Sequence, residues 1–149
     1  MKITEKEFTE IVRKNKSTIY TVCYMYAKNP DEAKDLFQDV LLNLWSGIES
    51  FSGLSDIKTW IWRVSLNTCI TSERKRKRRS SIQLLMNSNL YEDRDKDALQ
   101  IKMLHERINR LKPFDRAIVL LWLENMSYEE IGSIVGITTK NVSVRLYRI

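Results

Sequence analysis

Apolar residues recur every three or four positions along most of the chain, which is the period of an amphipathic α-helix. The stretch after Asp56 shows the pattern clearly, with Ile57, Trp60, Ile61 and Val64 on one face. No convincing strand alternation of apolar and polar residues accompanies it. The whole chain has only four Gly and two Pro, few enough for long uninterrupted helices. The pattern predicts an all-α protein.

Helix starts are marked by local sequence signals. Thr4 to Glu7 and Ser127 to Glu130 both have the form of a capping box. Asn29 precedes Pro30 and two acidic residues, which predicts a capped helix whose first turn suits the helix dipole. A break in the first helix is expected around residues 15–17.

The C-terminal stretch is typical of a helix-turn-helix. A short helix from Tyr128 would end at Gly136, a residue suited to a left-handed turn, and Thr138 or Thr139 would cap the last helix. The alternative is a plain three-helix bundle with a basic surface. Trp122 and Tyr128 are both expected to face inward, and the apolar helix from Phe114 to Leu123 is either buried all round or offers a face to a partner.

The chain has a formal net charge of +6, and this charge is distributed unevenly along it. Residues 71–79 carry six cations and one anion, residues 80–98 two cations and four anions, and residues 99–149 eight cations and five anions. Two basic zones around an acidic spacer are suited to a polyanion or to a membrane surface. No apolar run is long enough to span a membrane, so we do not expect membrane insertion. We expect a cytoplasmic location.

The basic run from Arg74 to Arg79 follows two tryptophans on the preceding turns. Cations attract phosphate and aromatic rings stack on unpaired bases, so the combination favours nucleic acid, whereas the run alone would suit a solvated or targeting segment. An acidic and amide-bearing stripe on the second helix is either a solvated face or a docking face for a basic partner. Its members are Asp35, Gln38, Asp39 and Leu42.

Catalytic or metal-binding signals are weak. Cys23 and Cys69 are isolated, and His105 is the single histidine. There is no Gly-rich phosphate loop and no recognisable nucleophile, so we expect no cofactor, no metal and no enzymatic activity from this chain. Both cysteines are expected to pack as small apolar residues.

Two small helical domains are predicted, over residues 1–79 and 99–149, joined by a flexible acidic linker at residues 80–98. The first half contains DEAKDLFQDVLLNLW and FSGLSDIKTWIWRVSLN, and the second contains LHERINRLKPFDRAIVLLWLENMSYEEIGSIVGIT. In this order these motifs resemble regions two and four of a small bacterial RNA polymerase sigma factor of the extracytoplasmic-function type, within the sigma-70 family. The resemblance covers nearly the whole chain.

The resemblance implies roles for named residues. The acidic stripe corresponds to the family's contact with the clamp helices of the largest polymerase subunit, and the Phe114 to Leu123 helix to its contact with the flap. Strand opening and recognition of the minus-ten promoter element are implied for Phe51, Ser52, Gly53, Trp62, Arg63, Asn67, Arg74, Arg76 and Arg78. Recognition of the minus-35 element is implied for Lys140, Asn141, Ser143, Val144, Arg145 and Arg148.

The resemblance also implies a controlling anti-sigma protein and a nucleoid-associated location. The chain departs from the family at Lys140-Asn141, where a Gly-Thr pair is usual, and at Ser143, where a basic residue is common. The family's last helix extends beyond Ile149, so the resemblance implies further C-terminal turns. Two alternatives stay open: a helix-turn-helix regulator that binds duplex DNA without polymerase, and a helical interaction protein that ignores DNA.

Overall fold

The computed structural model of the chain describes residues 3–51, 56–80 and 96–149. These residues form seven α-helices and one short 3-10 helix, with no strand among them. The all-α prediction is therefore confirmed. The helices are α1 (Glu5–Tyr26), α2 (Pro30–Gly47), the 3-10 helix (Ile48–Ser50), α3 (Ile57–Ser80), α4 (Lys96–Asn109), α5 (Pro113–Leu123), α6 (Tyr128–Val135) and α7 (Thr139–Arg148).

The predicted caps hold the helix starts. The side chains of Thr4, Asn29 and Ser127 accept hydrogen bonds from the backbone N–H groups of residues 7, 32 and 130, respectively. The predicted break at residues 15–17 is wrong, because α1 continues unbroken to Tyr26. Asn15 fits inside the helix by donating its side-chain amide to the carbonyl of Ile11 at 2.8 Å.

The N-terminal domain is a bundle of α1, α2 and α3, each packing on the other two. Its core is drawn from one face of each helix. These residues are Ile19, Val22, Cys23 and Tyr26 of α1, Ala33, Leu36, Val40 and Leu44 of α2, and Ile61, Trp62, Leu66 and Cys69 of α3. The free thiols of Cys23 and Cys69 are buried in this core, as expected for small apolar packing.

The C-terminal domain is formed by α4 to α7, with α5 as its most buried helix. Ile118 and Leu121 of α5 pack with Ile131 of α6 and Val142 of α7, all of them fully buried. The predicted linker at residues 80–98 lies mostly outside the described residues, while α3 runs through Ser80 and α4 begins at Lys96.

The two domains also contact each other. Helix α3 packs on α5 and α6, and α1 packs on α4. The apolar residues of the two domains consequently form one connected cluster.

Candidate functional site

The acidic stripe of α2 lies fully on the surface. Asp35, Gln38, Asp39 and Leu42 are all exposed, and the Leu42 side chain keeps 64% of its area accessible. The opposite face of α2 buries Leu36 and Val40, which fixes the rotation of the helix. Neither carboxylate takes part in an ion pair with another described residue. The stripe therefore presents two negative charges beside an apolar contact point.

A cleft of about 550 Å³ runs between α2 and α3. We refer to it as the interhelical cleft. Asp39 and Leu42 of the acidic stripe form one wall, and Asn67 of α3 forms part of the other. The remaining lining residues are Asn43, Val64, Thr68, Thr71, Ser72 and Lys75. One continuous concave surface thus joins two of the predicted docking residues to a predicted DNA-binding residue.

A hydrogen-bonded pair connects the two sides of the interhelical cleft. The side-chain amide of Asn43 donates to Thr68 Oγ1 at 2.8 Å, and that hydroxyl donates to the carbonyl of Val64 at 2.7 Å. Sequence reasoning missed Asn43 and Thr71, whereas Lys75 belongs to the predicted basic run from Arg74 to Arg79. The four-residue spacing from Asn67 to Thr71 to Lys75 was a usable signal, because residues four apart on a helix share a face.

The other predicted minus-ten residues lie in different surroundings. Phe51 is half-buried, with its ring centroid 5.2 Å from that of Trp60. Arg74 is exposed one turn from Arg78. Ser52 and Gly53 fall outside the described residues, as do the side chains of Arg76 and Arg78, whose backbones belong to α3.

Trp62 and Arg63 face the C-terminal domain. Trp62 is only 3% exposed and lines a cavity of about 340 Å³ together with Ile134 and other residues of α6. Arg63 donates from Nε to the carbonyl oxygen of Ser133 at 3.2 Å, and its Nη2 donates to the same atom. The structure thus places Trp62 in the core instead of on an open strand-binding face, because α6 packs over this side of α3.

The helix-turn-helix is formed as predicted. Gly136 ends α6 with φ of 82°, a left-handed conformation that favours glycine. A Cβ atom at Gly132 would lie 2.6 Å from the carbonyl oxygen of Ile137, so the turn approaches α6 too closely for a side chain there. Thr138 caps α7 by accepting from the N–H of Asn141 at 3.2 Å.

Helix α7 is anchored by the buried Val142 and the partly buried Leu146, and its other residues are exposed. All six predicted minus-35 residues are exposed: Lys140, Asn141, Ser143, Val144, Arg145 and Arg148. Tyr147, which is 93% exposed on the same helix, was not predicted. The sequence signal that could have identified Tyr147 was its position three residues after Val144, which places both on the same side of the helix.

An apolar patch lies at the end of α5. Trp122 is 50% exposed, Leu123 44% and Tyr128 40%, and the three line a shallow cavity of about 350 Å³. The expectation that Trp122 and Tyr128 face inward is wrong, because Leu120 and Leu121 fill the core positions of this turn. Large exposed apolar side chains in one place are typical of a protein-binding surface.

Among the described residues, no group of His, Cys, Asp and Glu could hold a metal ion. None of the helices in these ranges is long and apolar enough to cross a membrane.

Comparison with known proteins gives consistent matches for both domains. The sequence model of Sigma-70 region 2 matches residues 11–79, and that of Sigma-70 region 4 matches residues 101–149. RNA polymerase sigma factor SigV of Bacillus subtilis is 31% identical over 140 residues, covering 90% of this chain and 81% of SigV. The ECF RNA polymerase sigma factor SigW of the same organism is 26% identical over 156 residues, covering 95% of this chain and 83% of SigW.

Solved structures show the same fold. Sigma factor RpoE in complex with the anti-sigma factor NepR from Bartonella quintana matches with a TM-score of 0.75 and 23% identity, over 96% of this chain and 91% of RpoE. CnrH in complex with the cytosolic domain of CnrY matches with a TM-score of 0.69 and 18% identity, over 97% of this chain and 83% of CnrH. With regions 2 and 4 both present in order, the chain belongs to the sigma-70 family and is a small RNA polymerase sigma factor of the extracytoplasmic-function type.

Proposed function

We propose that this sigma factor uses three surfaces: the acidic stripe for core polymerase, the adjoining interhelical cleft for the minus-ten element, and α7 for the minus-35 element. The observation that carries the proposal is the continuity of the cleft, which has Asp39 and Leu42 on one wall and Asn67 and Lys75 on the other. Polymerase bound to the stripe would lie beside DNA bound in the cleft. Such proximity suits a protein that opens DNA only when attached to the enzyme.

The docking step is supported by the chemistry of the acidic stripe. Asp35 and Asp39 are exposed and lack an ion-pair partner among the described residues, so they are available to cationic side chains. Leu42 adds an apolar contact between them and the cleft. The clamp helices of the largest polymerase subunit are the proposed partner. Charge complementarity of this kind sets orientation and association rate.

The minus-ten element would be bound as an opened strand. Asn67 offers a hydrogen-bond donor and acceptor to an extruded base, while Arg74 and Lys75 supply cations for the backbone. Stacking contributes about 1–3 kcal/mol per base in single-strand binders, which offsets part of the cost of opening. Phe51, Ser52 and Gly53 are proposed to complete the pocket, and Arg76 and Arg78 to extend the cationic track.

The minus-35 element would be read by α7 in the major groove. Lys140, Asn141 and Arg148 are exposed and of the types that bond to phosphates and base edges. Val144 is 38% exposed and offers an apolar contact suited to a thymine methyl group. Val142 and the Gly136 turn hold the helix at a fixed angle to α6.

Two further partners follow from the apolar patch at Trp122 and Leu123. The flap of the polymerase is one proposed occupant. An anti-sigma protein is another, and the proposal is supported by the fact that RpoE and CnrH were each solved in complex with NepR or CnrY. The protein would act in the cytoplasm at the nucleoid as a specificity subunit, with RNA synthesis carried out by the polymerase.

Run-off transcription tests the proposal. Genomic promoter fragments are transcribed with matched core RNA polymerase, with and without the protein. We expect transcripts that appear only when the protein is added, and their start sites give the promoters it recognises.

Binding to core polymerase is measured alongside transcription. Core binding without any transcript from any fragment would contradict the promoter-recognition surfaces. Duplex binding with no gain from core enzyme would favour a regulator acting without polymerase. Binding to protein with no DNA affinity at low salt would favour a pure interaction protein.

A further inference from the structure

The two walls of the interhelical cleft differ in charge. The α3 wall carries Lys75, which lines the cleft, and Arg74 is exposed next to it. The α2 wall carries Asp39, which takes part in no ion pair with another described residue. Phosphate is attracted by cations and repelled by carboxylates, so a bound strand is expected to run its backbone along α3. Its base edges then point towards α2.

The orientation of Asn43 on the α2 wall is fixed by its neighbours. Thr68 donates its hydroxyl hydrogen to the carbonyl oxygen of Val64 at 2.7 Å, so Thr68 Oγ1 acts as an acceptor towards Asn43. Asn43 therefore turns Nδ2 to Thr68, at 2.8 Å. Its Oδ1 has no hydrogen bond to a described residue and remains available as an acceptor.

The α2 wall thus offers two acceptors to a base, the Asp39 carboxylate and Asn43 Oδ1. A carboxylate accepts hydrogen bonds and donates none. Cytosine and adenine carry an exocyclic amino group that donates, and Asp and Glu accept from cytosine N4 in known base contacts. Thymine has a carbonyl oxygen where cytosine has its amino group, and a carboxylate repels that oxygen. The wall therefore distinguishes the two pyrimidines by one polar group.

We propose that Asp39 selects the extruded base of the minus-ten element, favouring cytosine or adenine, whose amino groups donate to the α2 wall, over thymine. Asn43 Oδ1 supports the selection as a second acceptor. The inference rests on the proposed minus-ten role of the cleft and assigns the base preference of that site. Asp39 also belongs to the acidic stripe, so base selection and docking have to be measured separately.

Asp39→Asn tests the selection, because it keeps the size of the side chain and replaces a group that only accepts by one that also donates. Asp35→Asn is the matched control. It removes the same charge from the same stripe, but Asp35 does not line the cleft. Asn67→Ala tests the proposed role of the cleft itself.

Affinity is measured for the complex of each protein with core polymerase on a promoter found by run-off transcription. The minus-ten region of this promoter is made non-complementary, so that the cost of opening does not depend on the base present. Each base of its non-template strand is set in turn to deoxycytidine or deoxyuridine. The two differ in the amino or carbonyl group and the adjacent ring nitrogen, and both lack the methyl group of thymine.

We expect one position at which the parent complex prefers deoxycytidine at least about tenfold, the worth of a well-formed polar contact to a base edge. Asp35→Asn should keep this ratio even where its docking is weaker, because both affinities are measured on the same assembled complex. Asp39→Asn should reduce the ratio to about threefold or less, since an amide can turn its N–H group towards the carbonyl oxygen of uracil.

An unchanged ratio in Asp39→Asn would overturn the assignment of Asp39. Absence of a preference at every position, with weaker binding by Asn67→Ala, would overturn the selection of an amino-bearing base and leave the minus-ten role standing. Binding by Asn67→Ala as tight as that of the parent would instead count against the minus-ten role of the cleft, and the selection would fail with it.

Discussion

Arg145 Nη1 donates to Asp115 Oδ1 at 2.9 Å, which ties the last helix, α7, to the first turn of α5. The Arg145 guanidinium also lies 4.8 Å from the centroid of the Phe114 ring. A residue proposed to read DNA is therefore also part of the packing of the C-terminal domain. Arg148, one turn further on, is exposed and belongs to none of the ion pairs among the described residues.

Replacing these two arginines separates packing from DNA binding. Arg145→Ala is expected to lower the free energy of unfolding by about 1 kcal/mol, the sum of a part-exposed ion pair and a cation–π contact. Arg148→Ala should leave stability within about 0.5 kcal/mol of the parent. Each should weaken binding to a minus-35 duplex. Each should also reduce the slope of log affinity against log salt concentration by about one. Urea unfolding and salt titrations check both; equal loss of stability would contradict the assignment of Arg145.

Reversing the charge of the acidic stripe should abolish docking. Asp35→Lys with Asp39→Lys is expected to weaken binding to core polymerase at least about tenfold, because like charges at an interface replace opposite ones. Glu5→Lys with Glu10→Lys makes the same net change at exposed positions of α1, away from the stripe and from the apolar patch. Fluorescence anisotropy with labelled protein measures both. Identical affinities of the two double variants would remove the docking assignment.

Two asparagines of the interhelical cleft should behave differently. Asn67→Ala is expected to leave stability and core binding unchanged, because the side chain is exposed. It should lower promoter opening about threefold to tenfold, the worth of one hydrogen bond to a base. Asn43→Ala should instead cost about 1 kcal/mol of stability by removing the bond to Thr68.

Permanganate footprinting of the opened strand and thermal unfolding separate these effects. Asn67 is tested alone because Phe51, its proposed companion, also packs on Trp60. Equal loss of core binding and opening in Asn67→Ala would argue against the pocket.

The helix-turn-helix offers a pair of glycine variants with different physical causes. Gly132→Ala is expected to destabilise the domain by about 1–3 kcal/mol, because its Cβ would lie 2.6 Å from a backbone oxygen that cannot move freely. Gly136→Ala meets no atom within 4 Å but must adopt φ of 82°, which costs about 1–2 kcal/mol. Gly136→Asn should recover part of that loss, since Asn tolerates the left-handed region. Gly132→Asn should be no more stable than Gly132→Ala, because the clash at that position comes from the Cβ atom. Equal recovery by Asn at both positions would refute the assignment of two different causes.

Local features of the fold were predictable from the sequence, and contacts between distant residues were not. Thr4, Asn29 and Ser127 cap their helices through bonds to residues three positions away, so the signal lies within one turn. Glu73 gave no comparable signal. It directly precedes a run of cations, yet its buried ion-pair partner is Arg116, 43 residues away.

The candidate site was predictable to the same degree. The acidic stripe and the exposed face of α7 follow from helical spacing and lie where expected. The burial of Trp62 was not predictable, because helical spacing gives the face of α3 that it occupies but not that α6 covers that face. The Asn43–Thr68 bond joins α2 to α3 and depends on their relative rotation, which no local pattern determines.

Tyr26 gives a prediction for alkaline pH. Its hydroxyl donates to the carbonyl oxygen of Pro113 at 2.7 Å, and burial raises the pKa of the phenol well above its ordinary value, with the nearby Arg116 cation opposing only part of the effect. Its contribution to stability is therefore fully present below the unfolded pKa of about 10 and is lost as the pH rises beyond it. The reason is that the unfolded chain releases a proton that the folded chain retains.

The difference in unfolding free energy between Tyr26→Phe and the parent should consequently shrink or reverse as the pH rises. At pH about 7 the variant is expected to be less stable by about 1 kcal/mol, because the bond to Pro113 is lost. One pH unit above 10, ionisation of the unfolded tyrosine costs the parent about 1.4 kcal/mol that the variant does not pay, so the two unfolding free energies should converge or cross. The buried Cys69 thiol, whose pKa is also raised, is present in both proteins, so its contribution to the pH dependence of stability cancels in the comparison. Tyr147→Phe, at an exposed position, is the control and should follow the parent at both pH values in urea unfolding; a constant gap between Tyr26→Phe and the parent would show that burial does not hold the phenol protonated.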